Sequence, residues 1–138
     1  MLFRSSNRAP GFSRLELAQI QRIWAGVAAD YAPWQINVTT RRPSAADLVR
    51  SNADDTRYGT RVVITPRDVM QPNCRCASGR AEMDLFSVWG AANRYRSIAW
   101  VFSDYGWNDP SIIAALVSHE VGHEKELDGG NGHGHPGW

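Results

Sequence analysis

Two apolar runs, "TRVVITP" at 60–66 and "SIAWVFSD" at 97–104, set the tightest limit on the fold of this chain. The first is continuous rather than alternating and is bounded by Gly59 and Pro66. It reads as a strand covered on both faces. The second is mostly apolar and reads as a central strand. Strands of this kind need other layers to cover them, so the chain must also supply helices that pack on the sheet.

Helices are written on either side of these strands. In "SRLELAQIQRIWAGVAAD", Leu15, Leu17, Ala18, Ile20, Ile23, Trp24, Val27 and Ala28 recur at three and four, the stripe of an amphipathic helix over about 14–30. Ser13 and Glu16 stand in capping-box positions, and Pro33 ends the segment. A short strand is expected over "QINVTT" at 35–40. A two-turn helix capped by Ser44 is expected over "SAADLVRSN", with Asp47 in its first turn. Residues 67–80 read as a long irregular loop. "AEMDLF" at 81–86 alternates Ala81, Met83 and Leu85 with Glu82 and Asp84, as a strand at a sheet edge would.

Asp109 as cap and Pro110 at the first helical position open a last helix, "PSIIAALVSHEVGHEKEL". It turns Ile112, Ile113, Leu116 and Val117 to the core and stops near Gly129 and Gly130. Trp24, Trp34 and Trp100 read as core residues, and "EKE" at 124–126 as a solvated helix face. The fold class is α/β or α+β, a mixed sheet of at least four strands with helices packed on it, in one domain over 1–138.

Composition excludes several functions. With 43% hydrophobic and 21% charged residues, the chain has material for a core. Fifteen Lys and Arg against fourteen Asp and Glu, with no helix face that collects the basic residues, argue against nucleic-acid binding. No apolar run approaches the roughly 20 residues of a membrane span. The N-terminus "MLFRSSNRAPGF" lacks the apolar stretch of a secretory signal. Cys74 and Cys76, in "NCRC", are open to three readings: free thiols, a bridge, or half a metal site.

The chemistry is concentrated in "SHEVGH". Residues four apart on a helix stand about 6 Å apart along its axis on one face, so His119 and His123 can point two imidazoles at one ion. Imidazole nitrogen suits zinc, and a catalytic zinc keeps three protein ligands and a water. Glu120 is close enough to take a proton from that water without being a ligand.

These residues, with "IQRIWAGVAADYAPWQINVTT" and "YGTRVVITP" before them, resemble the catalytic domain of secreted bacterial metzincin-type, reprolysin-like zinc endopeptidases. The resemblance runs from about Phe12 to His123. It implies a metzincin-like zincin fold with a twisted mixed sheet of four to five strands, an active-site helix, and an edge strand that binds a peptide antiparallel. It also implies Zn2+ as cofactor, His119 and His123 as ligands, and Glu120 as general base. A protein or peptide substrate would lie along Ala81, Met83 and Leu85, and the location would be extracellular.

Departures from the family pattern are equally specific. The family continues His-Glu-x-x-His with x-x-Gly-x-x-His, whereas here Glu126 and Gly129 stand at those two positions. Gly130-Asn131-Gly132-His133 repeats the Gly-x-x-His ending four residues later, about one helical turn. His133 is therefore the first candidate for third ligand, with His135, Asp128 or no residue as alternatives. The family's Met-containing turn has no counterpart, since no Met follows Met83, and its first strand is expected to be missing. A partial domain is expected, with two alternatives to the enzyme: an inactive domain that binds peptide or protein, or a small metal-binding domain using the His tail.

Overall fold

A computed structural model describes residues 2–3, 11–67, 77–82, 88–91 and 98–124. Its elements are strand β1 (Leu2–Phe3), helix α1 (Arg14–Asp30), a 3-10 turn (Ala46–Leu48), strands β2 (Arg61–Thr65), β3 (Gly79–Arg80) and β4 (Ile98–Phe102), and helix α2 (Pro110–Glu124). The four strands form one sheet in the order β1-β2-β4-β3. β1, β2 and β4 run parallel, and β3 pairs antiparallel with β4 at the edge. The class is mixed α/β of the α+β kind.

The two apolar runs become neighbours at the centre of the sheet, with Val62 beside Ala99 and Ile64 beside Val101. All four residues are buried. Against them pack Ile23 and Val27 of α1 and Ile113, Ala114, Val117 and Val121 of α2. Parallel strands need crossovers, and covering a parallel pair with helices removes its apolar side chains from water.

α1 has the expected boundaries. The Ser13 amide donates to Glu16 Oε2 at 2.8 Å and the Glu16 amide to Ser13 Oγ at 3.2 Å, a complete capping box. At the far end the Tyr31 amide donates to the Val27 carbonyl at 3.1 Å. The apolar stripe is only partly used, however: Ile23 and Val27 are buried, whereas Leu15 is 80% exposed and Leu17 47%. The core ends before the first turns of the helix. α2 begins as expected, with Asp109 Oδ1 accepting from the Ser111 amide at 2.8 Å. Ahead of it, Trp107 and Asn108 both take positive φ, 49° and 56°, in the turn that leaves β4.

Several expectations are corrected. Residues 36–40, expected as a strand, join no strand among the described residues. Their hydrogen bonds go elsewhere: the Ile36 amide donates to the Trp34 carbonyl at 2.8 Å, and the Trp24 indole N–H donates to the Val38 carbonyl at 2.8 Å. Trp24 and Trp34 are 41% and 48% exposed rather than core, and Trp100 is half-buried. Trp24 sits on the rim of the helix packing, where its polar edge can reach a carbonyl. The two-turn helix after Pro43 contracts to the 3-10 turn, with Ser44 Oγ accepting from the Asp47 amide at 3.2 Å and donating to Asp47 Oδ2 at 2.7 Å.

A two-residue edge strand lies at Gly79–Arg80, inside the segment read as loop; of the strand expected at 81–86, Ala81 and Glu82 stand outside the ladder and residues 83–86 lie outside the described residues. A first strand, expected to be missing, is supplied by Leu2–Phe3 beside β2. No described helix is long and apolar enough to cross a membrane.

Candidate metal and catalytic site

α2 carries the site, and α1 holds it in position. Gly26 of α1 approaches Ala114 so closely that an added Cβ would lie 2.8 Å from the alanine methyl. One turn further, the Tyr31 hydroxyl donates to the Ser118 carbonyl at 2.9 Å, and Ser118 Oγ donates to Asp30 Oδ2 at 2.6 Å. The end of α1 therefore grips α2 at the residue before His119. Burial, followed by the charges of Asp30 and Glu124, pushes the Tyr31 hydroxyl up to about 12, so it holds its proton in this contact.

His119 and His123 meet on the outer face of α2. Their Nε2 atoms are 2.9 Å apart, one ring donating to the other, with ring centroids at 4.4 Å and planes at 82°. Two nitrogens bound to zinc at about 2.0–2.1 Å in a tetrahedron stand about 3.3 Å apart. Opening the pair by a few tenths of an ångström would place one cation between them. Two converging imidazoles are two of the three protein ligands that a catalytic zinc keeps.

Glu120 projects to a different side. At about 100° per residue it lies about 100° around the helix from His119 and about 60° from His123. It is 5% exposed, and burial pushes its carboxyl up to about 7. Its neighbour is the edge strand: a Cβ on Gly79 would stand 2.5 Å from Glu120 Oε1 and 2.7 Å from its carboxyl carbon. Glycine at this point of β3 lets the carboxyl pack against strand backbone.

Glu124 is not part of a solvated face. It is 1% exposed and accepts a hydrogen bond from the Thr60 hydroxyl at the start of β2. Four residues after Glu120, it lies on the same inward side of α2, which the sequence segment "EKE" does not reveal. Gly79 and Thr60 were likewise not singled out. Their significance depends on which side chain of α2 each one faces, and sequence spacing carries no sign of that.

Of the expected site residues, α2 brings His119 and His123 together on its outer face, while Glu120 projects to the buried side beneath the edge strand. Ala81 lies just past the edge strand and packs against the core. Met83, Leu85, Cys74, Cys76, Asp128, His133 and His135 lie outside the described residues. Among the described residues no group of three His, Cys, Asp or Glu side chains could hold a metal ion. No protein-family model matches the chain, and neither does any curated protein or solved structure.

Proposed function

We propose that the chain is a metzincin-like zinc endopeptidase in which His119 and His123 hold the metal and Glu120 is the general base. The observation that carries this reading is the approach of the two Nε2 atoms to 2.9 Å on a helix whose next inward residue is a carboxyl packed under an antiparallel edge strand. Zinc, when bound, would lower the pKa of a water toward about 7 and polarise the scissile carbonyl. His133 is the first candidate to complete the ligand set. An extended peptide would add to the sheet along β3 and the following Ala81, Met83 and Leu85, with main-chain hydrogen bonds aligning it.

The chain's own residues then account for the proton. As the water oxygen bonds to the carbonyl carbon, one proton passes to Glu120. Glu120 returns it to the amide nitrogen, the C–N bond breaks, and a carboxylic acid and an amine leave. The location on this reading is extracellular.

The test is zinc content and casein cleavage for the wild type, Glu120→Ala, His133→Ala and His135→Ala. One zinc per chain is expected, with cleavage reduced about 10²- to 10⁴-fold in Glu120→Ala while zinc is retained. Loss of zinc in His133→Ala but not in His135→Ala would identify the third ligand. A folded wild type that binds no zinc tightly overturns the enzyme reading and leaves a peptide-binding domain.

A further inference from the structure

A second feature of α2 lies away from the histidines. Val117 and Val121 stand about 120–160° around the helix from His119 and His123. With Val27 of α1, Val62 of β2, and Ile36 and Val38 of the segment after Trp34, they line a cavity of about 140 Å³. All six belong to the apolar core or pack against it. The Trp24 indole, hydrogen-bonded to the Val38 carbonyl, ties the outer wall to α1.

Protein interiors are close-packed, and few voids exceed a water molecule. This one persists because its helical walls are small and stiff. The lining residues carried within α1 and α2 are Val27, Val117 and Val121, where leucine would fill more of the space and favour the helix more. A valine in a helix is held to nearly one χ1 rotamer, so none of the three can swing inward to close the cavity.

The walls offer a guest no charge. Arg61 is among the residues around the cavity but alternates with Thr60 and Val62 along β2, so its side chain belongs to the opposite face of the sheet. Arg41 is exposed at the rim, and no Asp or Glu lines the cavity among the described residues. The wall hydroxyls donate outward, Tyr31 to the Ser118 carbonyl and Thr60 to Glu124. A charged guest would lose its hydration here without gaining a partner, whereas an apolar one leaves water favourably.

We propose that this cavity binds a small, neutral, apolar molecule of about six carbons. An apolar cavity of about 150 Å³ stays dry and accepts benzene, so a guest of that size matches the space. The site is independent of zinc and of peptide cleavage.

Benzene is the probe, with benzoate as the charged control built on the same ring. Binding to the full chain is followed by methyl NMR shifts and by the rise in Tm with ligand concentration. Saturable benzene binding is expected, with the shifts centred on Val27, Val117 and Val121 and with benzoate at least about 10-fold weaker. Val121→Phe, which places a ring in the cavity, should weaken benzene by about 10-fold or more. Val38→Phe fills the same space from the outer wall and is the decisive variant if Val121→Phe fails to fold. No saturable benzene binding, benzoate bound as tightly as benzene, or unchanged benzene affinity in a folded filled variant overturns the proposal.

Discussion

Gly79 of the edge strand and Glu120 of α2 share a contact that leaves no room for a side chain. A Cβ on Gly79 would lie 2.5 Å from Glu120 Oε1 and 2.6 Å from the carbonyl oxygen of Trp100. One obstacle is a side chain that can rotate away, and the other is backbone of the central strand. Gly79→Ala should destabilise the fold by about 1–3 kcal/mol, the usual range for overpacking. The check is urea denaturation of Gly79→Ala, Glu120→Ala and the double variant. Removing the carboxyl relieves part of the clash, so the double variant should be less unstable than the two single effects added together. Strict additivity would separate the two residues energetically.

The Tyr31 hydroxyl, donating to the Ser118 carbonyl, ties the end of α1 to the helix that carries the histidines. Tyr31→Phe should cost about 0.5–1.5 kcal/mol at neutral pH. A further difference should appear in alkali. The folded hydroxyl is raised from 10.0 to about 12, so the unfolded chain ionises first. The contribution is complete below pH 10 and disappears as pH rises through about 12, a loss on the order of 1–3 kcal/mol. Stability curves measured between pH 9 and 12 should fall more steeply for the wild type than for Tyr31→Phe.

Asp104, just after β4, accepts from the Arg67 amide at 3.0 Å and from its Nε at 2.8 Å. Burial alone would raise this carboxyl, but the hydrogen bonds and charge of Arg67 outweigh it and hold Asp104 below its ordinary value. A lowered folded pKa stabilises the protein above the ordinary value of 3.8 and ceases to do so as pH falls through the folded one. Asp104 remains 39% exposed, so solvent screening limits the pair to about 1 kcal/mol or less. Asp104→Asn should therefore be slightly less stable than wild type at pH 7 and equal to it near pH 2. A gap that persists undiminished in acid would contradict this.

Gly26 faces Ala114 across the packing of α1 on α2, with no room for a Cβ between them. Gly26→Val should lower stability by about 1–3 kcal/mol, because added methyl groups must push α1 and α2 apart. Gly26→Ala should be milder, since better helix propensity returns up to about 1 kcal/mol. Thermal unfolding of the two variants measures the difference. If valine were tolerated as well as alanine, the close approach would not be structurally significant.

Local rules in the sequence were enough to locate α1, its Ser13–Glu16 capping box, the Asp109 start of α2 and both central strands. Each depends on residues within one or two turns of one another, or on an unbroken apolar run. The pairing of His119 with His123 belongs to the same class, because a four-residue step on a helix brings two side chains together whatever surrounds them. The 3-10 turn is an intermediate case: Ser44 and Asp47 hydrogen-bond to each other as their spacing allows, but the N-cap is Ala45, without a side-chain cap, and none of the turn's residues is buried.

What only the tertiary structure decided is which amphipathic positions the core reaches. Leu15, Leu17, Trp24 and Trp34 are apolar yet exposed, while Glu124 is a carboxyl residue yet among the most buried side chains. Helical periodicity ranks faces but does not say where the opposing layer ends, and here that layer covers only the later turns of α1 and the inward side of α2. The edge pairing at Gly79 depends on the tertiary structure for a related reason. Pairing with Trp100 and Val101 is made by Arg80 and Gly79, inside the segment read as loop, where the glycine admits the carboxyl of Glu120. A missing Cβ has meaning only against the atom that would otherwise strike it, and that atom is 41 residues away in the chain.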